Sequence, residues 1–226
     1  MLRIVPLVAS CLLCTAAAST GSRINDRDGL RYIWIPPGVY AMGCSPGDQH
    51  CFDWEPASHP VKIDRGFWIG ETEVTQAAYQ SVTGTNPSRY RGLDLPVEQV
   101  NWNNASAYCK TIGMRLPTEA EWECAARAGV PASRYGLLDS IAWYDGNSRD
   151  QTHKSGTKLP NAFGLYDMLG NVWEWVEDSY ERSGKKMRIL RGGSFFNVSR
   201  DIRVSNRLWA LPDTAHRDMG FRCAGY

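Results

Sequence analysis

The seven cysteines and four histidines of this 226-residue chain are its best donors for a soft or borderline metal ion, since such ions prefer thiolate and imidazole. His50, His59, His153 and His216 stand far apart and form no His-x-x-x-His or comparable ligand pair. His153, beside Lys154, reads as a loop residue. Cys44 and Cys51 flank Ser45–Pro46–Gly47–Asp48–Gln49–His50, a turn-rich stretch that can bring their sulfurs together in a disulfide. Cys124 shares a helix face with alanines and has no adjacent histidine, so it reads as a small buried hydrophobe rather than a nucleophile. Asp167 and Glu174 bracket an apolar, tryptophan-rich turn, and burying two carboxylates there is costly unless each meets an arginine or a metal. From 195 to 209, Phe195, Phe196 and Trp209 offer apolar contact around Asn197. Arg200, Arg203 and Arg207, with Arg217 beyond, can grip carboxylates or peptide carbonyls. The same aromatics can equally be core, and Arg203 or Arg207 can brace the loops.

The elements that must position these groups are short. Residues 32–43 read as a strand, a proline-glycine turn and a second strand, and 61–63 with 67–69 as another pair. A short helix is expected from Thr75 to Val82, capped by Thr72 or Thr75, and a second over Asn103–Cys109. The clearest helix follows Leu116–Pro117. Thr118 can cap it, Glu121 completes a capping box, and Gly129 ends it. Beyond Gly129 there is little helical periodicity, and glycines recur among tryptophans. A loop-rich α+β domain follows, with large rings buried at irregular turns and no internal repeat or linker.

With 43% hydrophobic residues and a formal charge of +1, the chain can bury a sizeable core and carries no basic tract. A nucleic-acid surface is therefore not expected. Arg3, the apolar run Ile4–Leu13 and the small residues that follow describe an export signal over 1–20, too short for a comfortable membrane span. Val8–Ala9–Ser10–Cys11 also reads as a lipoprotein processing box. Export to an oxidising compartment permits disulfides. Loss of Cys11 and Cys14 leaves an odd number of cysteines and hence one unpaired thiol.

Taken together, several segments resemble the formylglycine-generating enzyme family, the sulfatase-modifying factor domain. They include Glu71–Thr72–Glu73–Val74–Thr75, Pro96–Val97–Glu98–Gln99–Val100–Asn101–Trp102 and Arg115–Leu116–Pro117–Thr118–Glu119–Ala120–Glu121–Trp122–Glu123. Asn161 to Trp175, Arg191–Gly192–Gly193–Ser194 and Gly220–Phe221–Arg222 complete the set. The resemblance implies a single domain over 28–226 with a variant of the C-type lectin fold, small mixed sheets and two main helices. It implies a disulfide between Cys109 and Cys223. It also implies a structural calcium site using the side chains of Asp167 and Glu174 and the carbonyls of Gly170 and Val172, a hard oxygen set suited to that ion.

Founding members of the family oxidise a sulfatase cysteine using copper held by two cysteines. The matching positions here are Asn197 and Ile202, or a neighbour of the latter, and no cysteine lies between Ser194 and Phe221. An amide and an aliphatic side chain cannot replace two thiolates, so copper chemistry is not expected. Other relatives are iron-dependent oxidases, and some act in periplasmic siderophore maturation. In family members adapted for recognition, the 195–209 region is the binding face. The sequence therefore points to an exported ligand- or protein-binding module, periplasmic or secreted, with calcium as its structural ion. The alternative is a periplasmic metal-dependent oxidoreductase of the same family, for example in siderophore or other secondary-metabolite maturation, with iron as its candidate metal.

Overall fold

The computed structural model describes residues 21–226, so the expected export signal lies outside the described residues. In chain order the elements are β1 (Ser22–Ile24), β2 (Arg31–Ile35), β3 (Gly38–Met42), β4 (His59–Ile63) and β5 (Phe67–Gly70). The helices α1 (Gln76–Thr83), α2 (Trp102–Thr111), α3 (Glu119–Arg127), α4 (Leu138–Ile141) and α5 (Asp145–Ser148) follow. The chain closes with β6 (Trp173–Arg182), β7 (Lys185–Arg191), a single 3-10 turn at Ser199–Asp201, β8 (Arg207–Ala210), β9 (Met219–Gly220) and β10 (Ala224–Gly225).

All the strands expected before residue 70 form, but they pair crosswise. β2 joins β5, with Ile33 opposite Ile69, while β3 joins β4, with Tyr40 opposite Val61. Pro36 and Pro37 lack N–H donors and fix their φ angles, so the chain leaves one sheet there instead of closing a hairpin. The resulting sheets have the orders β1-β2-β5-β10, β3-β4 and β8-β7-β6-β9. The long β6–β7 hairpin lies in the region where the sequence showed no helix. Ser183 and Gly184 connect its strands with φ values of 52° and 71°, the left-handed backbone that a two-residue hairpin loop demands.

The helix starts follow their capping residues. Thr75 caps α1, Asn101 caps α2, and Thr118 forms the full capping box with Glu121 on α3. One apolar cluster lies under α1 and α2, where Tyr79 and Tyr108 stack at 5.4 Å and Phe221 meets both edge-on. The other surrounds α3 and includes Trp122 with Ile33, Ile35, Phe67 and Ile69. Two disulfides form, Cys44–Cys51 and Cys109–Cys223, and Cys124 is a free, buried thiol. Burial holds that thiol well above its ordinary range, which leaves it without nucleophilic character.

Candidate functional site

The loop after Cys51 and the segment 197–208 face each other across a groove of about 160 Å³. Phe52 and Trp54 form one wall; Trp173, Asn197, Asp201, Asn206, Arg207 and Leu208 form the rest. The aromatic wall extends outward as a ladder. Phe52 stacks on Trp54 at 4.4 Å, Trp54 meets Trp209 edge-on at 5.6 Å, and Trp209 leans on Tyr180 at 5.2 Å. Arginines close its two ends, with Arg200 4.7 Å from the Phe52 ring centre and Arg182 5.4 Å from Trp209. Trp54 keeps 44% of its surface exposed, so the ladder is available for contact. A wider cleft of about 380 Å³ opens beneath the disulfide loop, lined by 45–50 with Ala132 and Ser133.

The loop carrying Phe52 and Trp54 is anchored on both sides. Cys51 is bonded to Cys44, and Glu55 accepts the Phe52 backbone N–H at 3.1 Å. Glu55 is held in turn by the fully buried Arg203, which also reaches Asp48 at 3.3 Å. Arg203 therefore braces the groove rather than facing a ligand. Arg207 lies at the rim, but Glu119 holds its guanidinium at 2.6 Å. Arg217 is similarly engaged by Asp150 and the Tyr90 hydroxyl, though it still covers Phe196 at 4.8 Å. Among the expected contact residues, Phe195 is fully buried and belongs to the core, whereas Phe196 is 53% exposed.

The two positions that would supply sulfur to copper are filled differently. Asn197 turns inward, its carboxamide oxygen accepting from the Ser194 backbone N–H at 3.0 Å and from the Ser194 hydroxyl at 2.8 Å. Ile202 is fully buried. Its side chain lies so close to Gly193 that a Cβ there would approach it to 2.5 Å. Neither position presents a soft donor to the groove. The single Ser194 hydroxyl proton is shared between the Asn197 carboxamide oxygen and Asp218 at 2.9 Å, and Asp218 also pairs with His216 Nδ1 at 2.5 Å.

The calcium expectation meets a different arrangement at Glu174. Arg222 grips this carboxylate through two nitrogens at 2.7 Å each, and Trp122 Nε1 donates to it at 2.7 Å. Arg222 is itself fully buried and saturated by the carbonyls of Gly70, Glu71 and Tyr166. Asp167 accepts the Gly156 N–H at 2.6 Å but leaves its other oxygen buried without a partner, as does the neighbouring Glu73. Burial pushes the Asp167 carboxyl up to about 6. Burial, then the facing Asp167, holds Glu73 well above the carboxylate range. Gly170 is fixed by its turn, because a Cβ there would come within 2.3 Å of the Trp143 carbonyl. Of the two expected carboxylate ligands, only Asp167 has an uncommitted oxygen, so the four-residue set does not fit calcium without displacing Arg222 from Glu174.

The histidines do not converge. His153 stacks on Trp143 at 3.8 Å, His50 and His59 are exposed on loop and edge strand, and His216 faces Asp218. Among the described residues, no group of three His, Cys, Asp or Glu side chains could hold a metal ion. Sequence reasoning missed Phe52, Trp54 and Tyr180, and within the 195–209 stretch it singled out neither Asp201 nor Asn206. The available signal for the first two is an aromatic pair immediately after Cys51 in a turn-rich loop.

Residues 22–225 match the family described as "Sulfatase-modifying factor enzyme 1-like domain". The mouse protein named "Inactive C-alpha-formylglycine-generating enzyme 2" is 35% identical over 177 residues, covering 67% of this chain and 56% of its own length. The formylglycine-generating enzyme of Streptomyces coelicolor is 30% identical over 294 residues, covering 92% and 93%. Among solved structures, Treponema denticola variable protein 1 superposes with a TM-score of 0.80 at 27% identity, covering 92% and 99%. PvdO from Pseudomonas aeruginosa does so with 0.81 at 26%, covering 91% and 97%. The chain thus spans little more than half the length of the mouse relative. Match length, shared motifs and superposition agree: this chain belongs to the sulfatase-modifying factor family and adopts its α+β fold.

Proposed function

We propose that the protein is an extracytoplasmic member of this family that binds a ligand or partner in the groove between Phe52–Trp54 and Asn197–Leu208, without generating formylglycine. One observation carries this reading: the two sulfur positions of the oxidase site are an inward-turned amide and a buried isoleucine. Four of the five described cysteines are in disulfides and the fifth is buried, so no thiol pair is left for cuprous ion. The relatives support it in kind, since one is named inactive and another a variable protein. Two disulfides suit an oxidising compartment, and among the described residues no helix is long and apolar enough to cross a membrane. The reading treats the scaffold as a lectin-type frame whose small sheets hold ordered recognition loops.

The test pairs two measurements on the purified protein. Incubation with copper, oxygen and a cysteine-bearing sulfatase peptide is expected to yield no aldehyde by mass spectrometry. Pull-down from cell-envelope extract is expected to recover a partner that a Phe52→Ala/Trp54→Ala variant loses. Aldehyde formation, or capture indifferent to both aromatics, refutes the proposal.

A second reading, a metal-dependent oxidoreductase, is favoured by one detail. Asp218 binds His216 at Nδ1 and the side chain is 54% exposed, which orients the other ring nitrogen as a ligand would be. Stoichiometric iron lost on His216→Ala would support that reading over the first.

A further inference from the structure

Resting on the groove as the binding site, we infer that its ligand presents a primary alkylammonium group, the head of a lysine side chain. The polar groups around the cavity decide this. Asn197 has committed its carboxamide oxygen to Ser194. Asn206 accepts the Arg207 N–H at 2.8 Å and donates to the Asp201 carbonyl at 2.7 Å, so both ends of its amide are taken. Arg207 is held by Glu119, and Arg203 is buried beneath Glu55. Asp201 is the one charged group lining the cavity without an ion-pair partner among the described residues. Its half-buried carboxylate has a single contact, Asn197 Nδ2 at 3.5 Å, and among the described residues no lysine or arginine pairs with it.

The groove therefore offers the two carboxylate oxygens and negative charge of Asp201, the Asn197 amide N–H beside them, and the exposed Trp54 ring. An ammonium is the complement of that set: it has three donors and no acceptor, and a cation near an indole or phenyl face is drawn to its electron-rich centre. Partial burial of Asp201 strengthens the attraction relative to open water. Arg200 lies 4.7 Å from the Phe52 ring centre but makes no ion pair with Asp201, so the carboxylate stays open while Phe52 is already engaged and Trp54 is the exposed ring of the wall. A volume of about 160 Å³ suits one unbranched side chain. An anionic ligand would meet the unpaired Asp201, while the one cation lining the cavity, Arg207, is already held by Glu119.

Tryptophan fluorescence and calorimetric titration with Nα-acetyl-lysine methylamide test the inference, with the neutral Nζ-acetylated compound as control. Saturable binding of the ammonium compound, weakened by added salt and absent for the control, is the expected result. Asp201→Asn is expected to lower that affinity at least tenfold without changing the melting temperature. Equal binding of the two compounds, or no binding of either, overturns the inference, and this comparison needs no variant to fold. An envelope partner lost by Phe52→Ala/Trp54→Ala but retained by Asp201→Asn would discard the ammonium while leaving the groove intact as a binding site. Loss in neither variant would remove both.

Discussion

Glu73 and Asp167 each bury one carboxylate oxygen with no partner, whereas Glu174 beside them is neutralised by Arg222. An unpaired buried charge is expensive, so the proton stays on. Asp167 in the fold keeps its proton up to about pH 6, against an ordinary value of 3.8. The folded state thus binds more protons than the unfolded chain between those values. The stability involved is complete below about pH 3.8 and is lost as pH rises through 6. Asp167→Asn keeps an oxygen for the Gly156 N–H and removes the charge. It is expected to raise stability at pH 7.5 by about 1–3 kcal/mol and to flatten the profile between pH 4 and 7, as read by thermal melting across pH. Equal slopes in variant and wild type would remove the argument. The two carboxylates at 167 and 174 were visible as a costly pair in the sequence. Which of them Arg222 would neutralise was not, because Arg222 lies 48 residues beyond Glu174.

At the scale of elements, legibility followed range. Thr118 and Glu121 are three residues apart, and their capping box forms as the sequence predicts. Thr118→Ala removes it and is expected to cost about 1 kcal/mol, seen as a lower urea midpoint with an unchanged slope. The Cys44–Cys51 bridge, seven residues apart, was legible for the same reason. The crosswise pairing of β2 with β5 and β3 with β4 was not, since both alternatives bury the same apolar residues and only the Pro36–Pro37 exit distinguishes them. The β6–β7 hairpin was also overlooked, although Ser183–Gly184 between charged ends is a turn signal. A bulge between Trp175 and Ser179 breaks its alternation and hides the strand period. In the groove, Trp209 and Asn197 could be found from the 195–209 stretch. Phe52 and Trp54 reach it through the Cys44–Cys51 bridge together with the tertiary brace of Arg203 on Glu55, and that brace spans 148 residues of sequence.

For the whole molecule, Cys109–Cys223 matters most to the unfolded chain. It ties α2 to the residue before β10 across 114 positions. Closing a loop of that length stabilises by about 4–5 kcal/mol through lost denatured-state freedom, on the chain-entropy account. Cys109→Ser/Cys223→Ser is expected to lose an amount of that order in denaturant titration, with a loss under 1 kcal/mol contradicting the account. The same closure brings Phe221 and Arg222 into the two interiors that the molecule shares, one under α1 and α2 and one beneath Trp122.

The two bridges differ in how far solvent can reach them. Cys109 and Cys223 are fully buried, while Cys44 and Cys51 are half-exposed beside the open cleft at 45–50. A small thiol attacks what it can touch, so on exposure to one the outer link is expected to open before the inner one. Its opening would release one of the two anchors of the loop on which Phe52 and Trp54 ride, leaving Glu55 on Arg203, and would spare the frame. On the proposed reading, local redox poise would then bear on capture in the groove rather than on survival of the fold.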